Sequence, residues 1–572
     1  MFRLRERFIR LECGCALYQG TGRQGGGYGQ SIGFVLAFPR PNSSWGGTMG
    51  WIKRASGGLA VIAVGALLGG VAFAADGGNQ WTSAGGNPQN TRFQPNEKTL
   101  NVGNVNQLEV KWEFTTGGDV SATPAVDADT VYFPDWAGNL YAVDKWTGVE
   151  QWRASIAAAS GVPGDKARAT PAIAGNKLII GTQGSFGGGG KVLAFDKDTG
   201  ALLWSTTLDT HPAAIITQSA SVFGNRVYVG TSSLEESFAL IPGYDCCSFR
   251  GQMAALDLNT GAIVWQTITA PSGFPGNAVW GSSPAIDTKR GQLYIATGNN
   301  YDAPPEALEC IAGAGNDPEA QQACLPADNH FDSILALDLK TGAIRWVTRA
   351  LGFDAWTVDC IPFLGEGTNC PEPAGPDFDF GQAPALFTVR DGNHSRDVVG
   401  VGQKSGQYWA LDPNTGAVQW VTQAGPGGTA GGLQWGSAVD NKRVYTGDAN
   451  SNAVPWTLPD GTSTTDGVWS AMDAITGELL WQTVPTFGGT PFGGGPSGPV
   501  TTANGVVFGC ALDPQGHMYA LNGATGDILW TFPSGGSCLS GAAISEGRLF
   551  WGSGYSLFGT PNNKVYSFGL PG

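Results

Sequence analysis

Residues 255–265 read ALDLNTGAIVW, and variants of this phrase occur seven times along the chain. The other copies are AVDKWTGVEQW ending at Trp152, AFDKDTGALLW at Trp204, ALDLKTGAIRW at Trp346, ALDPNTGAVQW at Trp420, AMDAITGELLW at Trp481 and ALNGATGDILW at Trp530. The template is A-x-D-x-x-T-G-x-x-x-W, with Asn522 in place of Asp in the last copy. An alternating apolar strand stands ahead of each phrase, such as VYFPDW (131–136), KLIIGT (177–182) or QLYIATG (292–298). A strand ends at A-x-D, the Asp caps the turn, and Gly supplies a backbone angle that other residues avoid. The next strand is expected to end on the Trp. Such a unit cannot bury both faces alone, so several must stack, and radial stacking gives a β-propeller.

The Trp-to-Trp spacings are 52, 61, 81, 74, 61 and 49, longer than a minimal four-stranded blade, so several blades carry insertions. The last strands, RLFWGSG (548–554) and KVYSFGL (564–570), lack a following Trp, whereas NVGNVNQLEVKW (101–112) supplies a Trp-ended strand without a blade. The fold expected is all-β, an eight-bladed propeller closed by its N-terminal strand, which leaves no open sheet edge.

Composition agrees. Charged residues are only 14%, with 88 Gly and 20 Trp, a mixture suited to short strands and tight turns. Residues 57–74, GGLAVIAVGALLGGVAFA, follow Lys53 and Arg54 and close on Ala72-Phe73-Ala74, the three regions of a secretory signal peptide. A membrane-anchoring helix is the alternative, but the run is slightly short for one. The division expected is 1–48 as an upstream extension ahead of Met49, 49–75 as signal peptide and 76–572 as one propeller domain. Removal of 1–75 leaves 24 basic and 45 acidic residues, a net charge of about −21. That balance excludes nucleic acid as a partner and favours a small basic protein.

Eight cysteines follow residue 75, an even number in an exported chain. Nearness in sequence favours Cys310 with Cys324, Cys360 with Cys370 and Cys510 with Cys538. Cys246 and Cys247, adjacent in GYDCCSFRG (243–251), then either pair with one another or take distant partners.

The repeated phrase on an eight-blade ring resembles the quinoprotein alcohol dehydrogenases, periplasmic enzymes that hold pyrroloquinoline quinone (PQQ) and calcium. The resemblance spans about residues 78–570. It implies calcium ligands at Glu235 in SSLEE and Asn299 in LYIATGNN, oxygen donors that suit a hard cation. GFDAWTVDC resembles the segment bearing the catalytic Asp, which implies Asp354 as base and metal ligand. Asp359 is the alternative, since no Asp directly follows the Trp. Lys404 in GQKSGQYWALD falls where the family has a cation near the quinone oxygens. Arg168 in KARAT, Thr217 in TQSAS and Ser232 in GTSS are implied cofactor contacts. Trp280 in NAVWGSS is the implied flat floor. The implied lid is a Cys246–Cys247 disulfide, in a position that resembles the polyvinyl alcohol dehydrogenases.

The activity implied is oxidation of a secondary alcohol, polyvinyl alcohol included, to a carbonyl. No C-x-x-C-H occurs and none of the four histidines follows a cysteine, so no covalently attached haem is expected. Electrons would pass to a soluble cytochrome c or a similar acceptor. A dehydrogenase of small primary alcohols or sugars, and a non-enzymatic assembly or binding propeller, are the competing readings.

Overall fold

A computed structural model describes residues 79–184, 187–488 and 495–572. The expected extension and signal peptide, residues 1–75, lie outside the described residues. Eight antiparallel sheets follow one another in chain order, and all but the eighth order their strands as the chain does. The fourth blade is typical. Its strands are Ala285–Asp287, Gln292–Ala296, Ser333–Asp338 and Ile344–Arg349. The first strand is fully buried and the last is half exposed, so the blade runs from the ring centre outward. Core clusters lie between neighbouring blades. One gathers Tyr228 and Trp265 of the third blade with Ile286, Leu293 and Leu335 of the fourth.

The repeated phrase forms the turn into the outermost strand. Asp338 Oδ1 accepts hydrogen bonds from the Lys340 and Thr341 backbone N–H groups and the Thr341 hydroxyl, at 2.9–3.0 Å. Asp144, Asp196, Asp257, Asp412 and Asp473 make the same cap. In the last copy Asn522 keeps one backbone contact, and the Thr525 hydroxyl turns to Asp527. The seven glycines sit at φ between 71° and 79°. The Trp lies inside the outermost strand rather than at its end, as Trp265 does in Ile263–Ile268. The strand continues because the Trp docks sideways onto the next blade. Trp265 Nε1 donates to the Leu339 carbonyl at 3.2 Å, and a Cβ on Gly342 would stand 2.5 Å from its ring. Each phrase therefore supplies a plug for the following blade and a socket for the preceding one.

The ring closes as expected. Glu109–Thr115 is the outermost strand of the eighth blade and pairs antiparallel with Lys564–Gly569. Trp112 in that strand donates to the Lys145 carbonyl of the first blade, and Trp530 of the seventh donates to the Leu108 carbonyl at 3.2 Å. A segment without apolar periodicity, residues 79–94, runs along the innermost strands. It contacts Val126, Ile173, Ile286, Leu386, Val439, Thr502 and Ile544 in turn, which stitches seven of the eight blades. All four expected cysteine pairs are disulfides, Cys246–Cys247 among them.

Antiparallel order fixes where loops emerge. Loops leaving the second strand of a blade, and those joining one blade to the next, all open on one face. The repeated turns open on the other. The longest insertions belong to the first kind. They are 231–251 in the third blade, 297–332 in the fourth and 350–384 between the fourth and fifth.

Candidate active site

Those insertions are stitched together. Single bridges link Arg250 to Gly276, Gly276 to Asn300 and Asn300 to Ala355, so four loops from neighbouring blades form one small patch. The link is sequence-specific: Asn300 N donates to the Asp354 carbonyl, Trp356 N donates to the Asn300 carbonyl, and Asn299 Nδ2 donates to the Trp356 carbonyl at 2.9 Å. The TGN and D-x-W elements, 55 residues apart in sequence, thus lie side by side.

At their junction sits Asp379, which the sequence reading missed. Its Oδ1 accepts from Asn299 N at 2.8 Å, and its Oδ2 accepts from Trp280 Nε1 at 2.9 Å. Lys404 Nζ lies 3.7 Å from Oδ2 and 2.7 Å from Asp377 Oδ1. The ammonium stands 5.8 Å from the Trp280 ring centre. Burial alone would depress the Lys404 ammonium, but Asp377, Asp379 and Glu236 hold it above its ordinary range.

The Asp354 carboxylate is fully buried and accepts from Asp377 N at 3.1 Å and Phe378 N at 2.7 Å. Burial pushes it up to about 6. Asp332 faces it with both oxygens lacking any donor among the described residues. Burial, then Asp354 and Asp379, drive the Asp332 carboxyl well above the carboxylate range. Asp377 is raised well above it too, first by burial and against the pull of Lys404. Desolvation brings Glu236 up to about 7, and it feels Lys404, Asp379 and Asp354. The four buried aspartates outnumber the single lysine, so they cannot all be ionised together without a further cation. Among the described residues no three acidic, His or Cys side chains converge as a preformed metal site. A cation here would therefore also draw on neutral oxygens such as Asn299 Oδ1, which no donor among the described residues engages.

The other expected site residues fall around this centre. Glu235 begins the short helix Glu235–Phe238, and its carboxylate turns to the cysteine-pair loop. It accepts from Ser248 N at 2.9 Å, Phe249 N at 2.7 Å and the Tyr244 hydroxyl at 3.1 Å, with His211 Nε2 at 3.5 Å. Burial would raise this carboxyl, but His211 and the two N–H groups hold it below its ordinary value. Cys247 and Trp280 pack against one apolar cluster of Ala214, Phe249, Ala278 and Tyr301. Thr217 Oγ1 donates to the Trp280 carbonyl at 3.0 Å, and Ser232 pairs with Ile215 in a two-stranded ribbon nearby. Arg168 stacks 4.7 Å over Trp435, which meets Trp280 edge-on at 5.2 Å. Asp359 stands apart from the centre. Its carboxylate accepts from Gly367 N and Asn369 N and ties down the loop closed by Cys360–Cys370. PDFDF (376–380), two aspartates alternating about Phe378 before an innermost strand, was the available sign of Asp377 and Asp379.

An eight-bladed ring that buries a lysine, a tryptophan edge and four aspartates under stitched loops is built as an enzyme centre. A family model described as outer membrane protein assembly factor BamB matches residues 69–348 and 464–568. The polyvinylalcohol dehydrogenase of Sphingopyxis sp. (strain 113P3) is 32% identical over 86% of this chain and 77% of its own length. That of a Pseudomonas species is 30% identical over 85% and 74%. The crystal structure of quinohemoprotein alcohol dehydrogenase from Comamonas testosteroni superposes with a TM-score of 0.63 at 18% identity, covering 86% of this chain and 82% of the other. A europium-containing methanol dehydrogenase gives 0.63 at 17% identity, covering 87% and 99%. The chain belongs to the family of PQQ-dependent, quinoprotein alcohol dehydrogenases. Within that family it is similar in sequence to the polyvinylalcohol dehydrogenases.

Proposed function

We propose that this protein is a periplasmic, PQQ- and calcium-dependent alcohol dehydrogenase that oxidises secondary alcohols, polyvinyl alcohol among them, and passes electrons to a soluble cytochrome c. The observation that carries the reading is Asp379, a single buried carboxylate that joins the metal-side Asn299, the floor Trp280 and the cation Lys404.

The residues fit both groups. A planar tricyclic quinone bearing carboxylates needs flat surfaces and cations. Trp280 is a flat indole pinned through its Nε1, Cys247 shares its apolar cluster, and Lys404 and Arg168 are the cations. Calcium needs hard oxygen donors, which Asn299 Oδ1 and the carboxyl groups of Asp354 and Asp332 would provide. When bound, PQQ accepts the electrons of the alcohol and calcium acts as a Lewis acid.

The chain's own residues set up proton removal. Asp354, held by two backbone N–H groups, is oriented to accept a hydroxyl proton. Lys404 keeps its charge through Asp377 and fixes one edge of the floor. The acidic surface steers a basic electron carrier.

The test is purified protein loaded with PQQ and calcium and offered polymeric, short secondary and short primary alcohols in parallel. Turnover of the secondary alcohols, lost on chelation and restored by calcium, is expected, and Asp354→Asn should lose turnover while retaining PQQ. Turnover confined to primary alcohols overturns the substrate assignment. Loss in Asp359→Asn but not in Asp354→Asn overturns the choice of base.

A further inference from the structure

Three buried asparagines meet where the loops of the candidate site join. Asn277 lies in the connection from the third blade to the fourth, and Asn300 and Asn329 stand near the two ends of the 297–332 insertion. None is more than 1% exposed. Their side chains form a closed cycle. Asn329 Nδ2 donates to Asn300 Oδ1 at 2.8 Å, Asn300 Nδ2 to Asn277 Oδ1 at 2.7 Å, and Asn277 Nδ2 to Asn329 Oδ1 at 2.9 Å. Asn277 Nδ2 and Asn300 Nδ2 also reach the Thr269 and Pro275 carbonyls, at 3.0 Å and 3.2 Å. A buried amide is costly unless it is paired, and here each is satisfied by the other two. Only a side chain that donates and accepts at once can take a place in the cycle. Asp lacks the donor, and Leu, of similar size, lacks both groups.

The backbones beside the cycle carry the metal-side groups. Asn277 N donates to the Asn299 carbonyl at 2.7 Å, and Asn300 N donates to the Asp354 carbonyl at 3.1 Å. The Asn300 carbonyl accepts from Trp356 N at 2.9 Å. Asn299 and Asp354, both offered above as oxygen donors to calcium, are therefore anchored on members of the cycle. Asn329 hydrogen-bonds to neither of them among the described residues, and reaches them through Asn300 and Asn277.

We propose that the cycle of Asn277, Asn300 and Asn329 is a positioning device for the metal side of the site. It holds the loops of Asn299 and Asp354 in register before a cation arrives, and so sets the affinity for that cation. The inference rests on the calcium reading given above. The three asparagines are positioning residues, which act through the backbone and not as metal donors.

The test uses the full-length protein, freed of calcium by chelation, supplied with PQQ and titrated with calcium by calorimetry. Asn329→Leu should weaken calcium binding by about tenfold or more, the usual effect of removing a group that orients a metal donor. The control is Asn450→Leu. Asn450 is 1% exposed in the sixth blade and donates to the Val454 and Thr465 carbonyls at 2.7 Å and 3.0 Å. Asn450→Leu should lower Tm and keep calcium affinity within twofold. Equal calcium affinity in the wild type and in a folded Asn329→Leu, or an equal loss in both variants, overturns the proposal and leaves the calcium reading standing. A wild-type chain that binds no calcium overturns both. Hydrogen exchange needs only the wild-type chain, so it decides the matter if Asn329→Leu fails to fold. The Asn300 and Trp356 N–H groups should be protected in the calcium-free protein. Rapid exchange there that slows only when calcium is added would show that the metal orders these loops, and overturns the proposal.

Discussion

Asp379 gives one oxygen to the Asn299 backbone and the other to the Trp280 indole, with Lys404 close to the latter. Asp379→Asn keeps the shape but replaces a charged acceptor, and charge-assisted hydrogen bonds contribute about 1.5–3 kcal/mol each. PQQ affinity should fall tenfold or more, read by quenching of Trp fluorescence, while the unfolding midpoint moves little because the blades do not rest on this contact. An affinity unchanged within twofold would remove its positioning role. Asp448 is a second buried carboxylate, away from this centre. Its Oδ1 accepts from Gly427 N at 3.1 Å, its Oδ2 is unpartnered, and burial raises it to about 7. A folded-state value above the unfolded one means that the native protein binds this proton more tightly. The associated stability is present below about pH 4 and is lost as pH rises towards 7, on the order of 4 kcal/mol at most. Asp448→Asn should therefore be more stable than the wild type at pH 8 and similar to it at pH 4, measured by denaturant unfolding. A variant less stable at pH 8 would show that the ionised carboxylate is well accommodated.

The turn–strand element of each repeat has its own test. At Gly342 an added Cβ meets both a φ of 72° and the Trp265 ring at 2.5 Å. At Gly291 φ is 65° and nothing lies within 4 Å. Gly291→Ala should cost about 1 kcal/mol through backbone strain alone, and Gly342→Ala about 3 kcal/mol through strain plus the clash. Equal losses in thermal unfolding would show that the docked Trp is not what demands the glycine. The turn itself was legible in the sequence because Asp, Thr and Gly act within four residues of one another. The reading placed Trp at a strand end because its true partner, the socket glycine of the next blade, lies too far along the chain for local pattern to reveal. The aspartates of the centre were partly illegible for a related reason. Asp354 stands beside a Trp in a short family-like element, whereas Asp332 sits singly in one insertion and Asp377 and Asp379 share only PDFDF in another, and only folding brings them to one point.

Across the whole molecule the blade count and the closure were readable, because a strand without a blade at one end matches a blade without a strand at the other. The stitching segment was not. Residues 79–94 carry no apolar period, and they engage seven of the blades through one or two hydrogen bonds each, mostly backbone. Backbone pairing of that kind leaves no mark on side-chain pattern. Its partners, and those of the closing strand, are spread to the far end of the chain: Gln94 reaches Thr502 and Ile544, and Glu109 pairs with Gly569. A ribosome delivers these segments first and their partners last. Until the eighth blade emerges, the closing strand has nothing to pair and the stitching segment lacks its contact with Ile544. Completion of this ring is thus a late event, because it waits for the strand Lys564–Gly569 to pair with Glu109–Thr115.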